Sequence, residues 1–96
     1  MTDLTGTVMT QPSFFFGTHT KCEHEQFTLD TAQGPVQIVD NVDIAPRVPV
    51  RPGDRIEACG EMVHDPGKPP ILHWTHHDPA HKHPDGFIRY QGKVYA

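Results

Sequence analysis

The sequence leaves little room for a helix to grow. Ten prolines and eight glycines make up almost a fifth of its 96 residues, against about 12% in average proteins. Only Thr18 to Gln33 runs for more than a dozen residues without either. That excludes a helical bundle and leaves an all-β or β-rich domain. Long apolar runs are missing as well: none approaches 18 residues, so no segment can cross a bilayer as a helix. The N-terminus lacks a basic stretch followed by an apolar one, the mark of a secretory signal, and the expected location is the cytoplasm. Positive charge is scarce. Eight Lys and Arg face twelve Asp and Glu, a formal charge of −4, which argues against general coating of nucleic acid. Cys22 and Cys59 are the only cysteines. They form no CxxC pair and define no disulfide framework, so both are expected as free thiols, and a thiolate zinc site is not indicated.

What remains between the punctuators alternates like strand. Leu4 to Thr10 reads as a first strand, interrupted by Pro12 and resumed by Phe14, Phe15 and Phe16. Consecutive strand side chains point to opposite faces, so the three phenylalanines cannot all be buried. They either straddle a curved strand over a barrel end or offer an aromatic patch to a protein partner or a second copy. His24 to Asp30 puts Glu25, Phe27 and Leu29 on one face; Pro35 to Asp40 puts Val36 and Ile38 inward; TAQG joins the two as a hairpin. A helix over Thr18 to Gln33 is the rival, but its apolar residues miss helical spacing. Arg47 to Arg51, with Pro49, should run extended along the surface. Asp54 to Val63 is a curving strand, Ile71 to Thr75 a short one, and Phe87 to Tyr95 a closing hairpin about Gln91-Gly92. One domain, residues 1–96, is expected: a small all-β barrel of five or six strands of the oligonucleotide/oligosaccharide-binding (OB) type, with a split sandwich as the alternative.

Five of the eight histidines fall between His73 and His83, in ILHWTHHDPAHKHPDG. Strand alternation places Leu72 and Trp74 in the core and turns His73 outward or into a cleft. His73 and His77 would stand about 13 Å apart on a continuing strand, too far for one ion, so a bend after Thr75 is needed. The loop has better geometry. His76, His77, Asp78 and His83 lie within eight residues on a segment free to wrap a divalent metal, zinc foremost, because imidazole and carboxylate are suitable donors. His24, between Glu23 and Glu25, could join from a neighbouring strand. Such donors could equally act as acid and base, with His24 or Glu25 as base and His73 beside them. No HExxH, GxSxG, Walker or GxGxxG pattern is present.

HWTHHDP (His73 to Pro79), with His83, Gly86-Phe87-Ile88, Gly92-Lys93-Val94-Tyr95, HEQF (His24 to Phe27) and NVDIAPRVP (Asn41 to Pro49), resembles the signature of a family of small bacterial proteins classed as a domain of unknown function and viewed as OB-like. The resemblance implies His24, His73, His76, His77, Asp78 and His83 as the site and supplies no reaction. Two functions follow as expectations. One is a metal-binding OB-like domain, with hydrolysis of a phosphodiester or another polar substrate as the reaction it could carry. The other is a non-catalytic module for single-stranded nucleic acid or a protein, using aromatic rings for stacking and Arg47, Arg51, Arg55 and Arg89 for charge.

Overall fold

The computed structural model describes Met1–Ala96 and contains eight strands and no helix: β1 (Thr2–Val8), β2 (Ser13–Phe16), β3 (Glu23–Thr31), β4 (Gly34–Asn41), β5 (Arg55–Val63), β6 (Ile71–His73), β7 (Phe87–Tyr90) and β8 (Lys93–Tyr95). Five of them close a barrel in the order β1-β3-β4-β6-β5 and back to β1. Only β4 and β6 run parallel; every other pair is antiparallel. This is the small OB-like barrel. Closure leaves the five strands few open edges.

β1 and β2 lie in turn along the same edge of β3, Val8 opposite Leu29 and Phe14 opposite Glu25. They are one strand bent near Pro12, whose missing N–H cannot continue a ladder. Likewise β6 and β7 lie in turn along one edge of β5. The histidine-rich loop is therefore an excursion from a single sheet edge that leaves after His73 and returns at Phe87.

Alternation fills the interior. Phe27 and Leu29 from β3, Val36 and Ile38 from β4, Ile56 and Ala58 from β5, Leu72 and Ile88 are all buried. Fully burying a Leu or Ile side chain contributes about 1.5–3 kcal/mol, so this set accounts for the barrel without a helix. Two expectations change. The segment after β4 does run extended, but Val48 and Val50 on either side of Pro49 face into the core instead of lying on the surface. Phe14, Phe15 and Phe16 do not cover a barrel end: all three are exposed on β2, which has β3 as its only neighbour.

Candidate functional site

The histidine loop begins with a backbone reversal. β6 ends at His73, and Trp74 adopts φ +57°, a left-handed conformation that costs a non-glycine residue energy. The turn inverts the expected alternation. Leu72 is buried as expected, but Trp74 leaves the core and Thr75 enters it, with no exposed surface. The Thr75 hydroxyl donates to Asp40 Oδ1 at 2.8 Å, which ties the root of the loop to β4. Outside, the Trp74 indole lies between two imidazoles, 4.8 Å from His73 and 4.1 Å from His83, with interplanar angles of 13° and 6°. The loop closes where the Gly86 N–H donates to the His76 carbonyl at 2.9 Å. Only glycine fits at Gly86, because a Cβ there would stand 2.0 Å from the Trp74 carbonyl oxygen and 2.4 Å from that of Cys59.

Asp78 organises what lies between. Its carboxylate accepts the backbone N–H groups of Ala80 (2.9 Å), Lys82 and His83 (2.9 Å). Burial opposes its charge, yet these three amides and the His83 ring hold the carboxyl below the ordinary range. Asp78 is thus occupied in shaping the loop. Two rings, the buried His76 and the half-buried His83, are fixed as well. His76 Nδ1 lies 2.6 Å from the His77 carbonyl and His83 Nδ1 2.8 Å from the Pro84 carbonyl. A carbonyl only accepts, so each Nδ1 carries the hydrogen and each neutral ring keeps its lone pair on Nε2. The two rings meet edge to face, centroids 5.6 Å apart, and His83 Nε2 is 3.8 Å from Asp78 Oδ2. Burial holds the His76 imidazole below the usual histidine range, which favours the neutral ligand form.

These side chains line a cleft of about 240 Å³ together with His24 and His73. His24 stacks on Phe15 at 5.2 Å, and its Nδ1 is buried without a hydrogen-bond partner. His73 Nε2 is 3.0 Å from Glu61 Oε1 across the β5–β6 pair. His77 does not join them: it is exposed and contributes only its carbonyl. His81 is also exposed.

Glu25 is elsewhere. It points into the barrel, fully buried, directly opposite Asp40 on β4. Its Oε1 accepts the Val48 N–H at 2.9 Å, while Glu25 Oε2 and Asp40 Oδ2 have no partner. Burial raises the Glu25 carboxyl, against the pull of the Val48 amide and Arg47. Burial pushes Asp40 up to about 7, opposed by the Thr75 hydroxyl and assisted by the charge of Glu25. A base for the cleft has to reach it, and Glu25 does not line it. Asp40 and Thr75 escaped the sequence reading. The parity that turns Val36 and Ile38 inward carries Asp40 inward too, whereas nothing in the sequence marks the reversal at Trp74 that buries Thr75.

Residues 14–96 match the family described as Protein of unknown function (DUF3465). The chain belongs to this family. No curated protein and no solved structure matches it. The DUF3465 match begins within β2 and takes in β3 to β8 and hence the whole cleft; β1, which closes the barrel between β3 and β5, precedes it.

Proposed function

We propose that this DUF3465 domain binds a divalent transition metal, zinc foremost, in the histidine cleft, through Nε2 of His76 and His83 with His24 as third ligand. One observation carries the reading: both loop imidazoles give their Nδ1 hydrogen to a backbone carbonyl and keep the other nitrogen free. Metal-binding histidines are ordinarily fixed in this way, because the carbonyl sets the tautomer and orients the ring. Asp78 serves as the orienter that folds the loop around them. No three His, Cys, Asp or Glu side chains are already gathered closely enough to hold an ion, so binding has to draw His24 and the histidine loop together across the cleft.

Three imidazoles leave a fourth tetrahedral position for water or for an incoming ligand. Hydrolysis of a phosphodiester or another polar substrate would use that water, with His73, the imidazole bonded to Glu61, as proton acceptor. Elemental analysis of tag-free protein after dialysis against zinc tests the proposal. About one zinc per chain is expected for the wild type and for His77→Ala, and almost none for His83→Ala. Equal zinc in all three would remove the loop as the site.

A further inference from the structure

We infer a second site beside the histidine cleft, one that takes a neutral heteroaromatic ring of the nucleobase class. It is a pocket of about 580 Å³ on the outer face of β3, β4 and β6, roofed by the turn after β2. That volume lies within the range usual for small-molecule sites. Its composition is unusual for this acidic chain: none of the 12 lining residues is Lys, Arg, Asp or Glu. A phosphate or carboxylate would find no lysine or arginine there, and a cation no carboxylate. The walls are ring and aliphatic surface, from Phe15, His24, Val39 and Ile71. Phe15 remains 41% exposed even though His24 stacks on it.

The floor supplies direction. Gln26 Nε2 donates to Gln37 Oε1 at 3.1 Å, and Gln37 Nε2 donates to Thr28 Oγ1 at 2.9 Å. This relay fixes both amides and leaves Gln26 with one N–H and its carbonyl oxygen free of side-chain partners. A carboxamide presenting one donor beside one acceptor is the complement of a base edge that offers one acceptor beside one donor, as adenine does. Aromatic surface for the ring face and a held amide for the ring edge are the two elements by which a neutral base is recognised. The pocket shares His24 and His73 with the histidine cleft, but the inference does not depend on a metal there.

Titration of the full chain with adenosine, followed by calorimetry or by NMR shifts in the presence of chelator, tests it. Saturable binding is expected. Gln26→Leu and Phe15→Ala should each weaken it about fivefold or more, since a bidentate base contact or one stacked base is worth about 1–3 kcal/mol and about 1.4 kcal/mol is tenfold. Loss of the amino donor in N6,N6-dimethyladenosine should weaken binding to a similar extent. Both substitutions lie on the outer face, and unchanged melting temperatures will show that the variants fold. Adenosine monophosphate should bind no more tightly than adenosine, with little salt dependence, and His83→Ala should bind adenosine normally. Absence of saturation, or indifference to Gln26→Leu, would overturn the inference. So would tighter, salt-sensitive binding of the phosphate, which points to a single strand held by its backbone, or loss of binding in His83→Ala, which moves the ligand to the metal cleft.

Discussion

At the scale of single residues, neighbours of the same type do different work. His76 and His83 are fixed through Nδ1 and line the cleft, whereas His77 and His81 face solvent. His76→Ala should therefore lower zinc content and erase the rise in melting temperature expected when zinc is added to the wild type, while His81→Ala leaves both unchanged. The stabilisation follows RT ln(1 + [L]/Kd), about 2.7 kcal/mol with free zinc a hundredfold above Kd; melting curves with and without chelator measure it. Asp78 has a structural consequence of its own. Its carboxylate answers three backbone N–H groups, so Asp78→Ala should depress the melting temperature of the metal-free protein more than Lys82→Ala. Because its carboxyl is held below the ordinary range in the folded chain, its contribution is present above the unfolded pKa of about 3.9 and disappears as pH falls through the lower folded value.

At the scale of elements, the buried carboxyls of β3 and β4 make stability depend on pH. Asp40 has a folded pKa of about 7, above the unfolded value of about 3.9. The folded state thus holds the proton where the unfolded state has lost it, and the contribution of Asp40 is fully present below about pH 4 and is lost as pH rises through 7. Asp40→Asn keeps an oxygen for the Thr75 hydroxyl and removes the charge. It should flatten this decline and leave the protein more stable at pH 8, by on the order of 2–4 kcal/mol; denaturant unfolding across pH 4 to 8 reads it, and an unchanged slope would contradict the assignment. Gly86→Ala belongs to the same scale. Its Cβ would meet two backbone carbonyls that cannot swing aside, and a loss of about 3 kcal/mol or more is expected, beyond ordinary overpacking. Period-two alternation made β1, β3, β4 and β5 legible in the sequence and exposed the bend at Pro12. It failed where backbone conformation, not side-chain pattern, decides direction. The reversal at Trp74 exchanges the faces of Trp74 and Thr75, and the barrel closure buries the valines around Pro49; both depend on contacts far away along the chain. The histidine cluster was legible as composition, but its division into cleft-lining and solvent-facing members follows from that same reversal.

At the scale of the whole molecule, one barrel holds two adjoining recesses on one side. The smaller is lined by imidazoles fixed by the loop from β6 to β7, the larger by the uncharged outer face of β3, β4 and β6. The barrel supplies the rigid frame: β6, only three residues long, is pinned between β4 and β5, so the loop leaving it starts from a fixed point. Binding of metal should therefore tighten the loop and the turn after β2 without altering the strands, and amide exchange should slow at Gly17 to Cys22 and at Trp74 to Gly86 alone. His76 and His83 are the residues proposed to hold the metal. Calorimetric titration of zinc into tag-free, chelator-stripped protein at pH 7.5 tests this assignment most directly. One saturable site is expected in the wild type, absent from the His76→Ala/His83→Ala double variant and retained in His77→Ala/His81→Ala. No saturable zinc binding to the wild type, or identical binding to the two double variants, would contradict it.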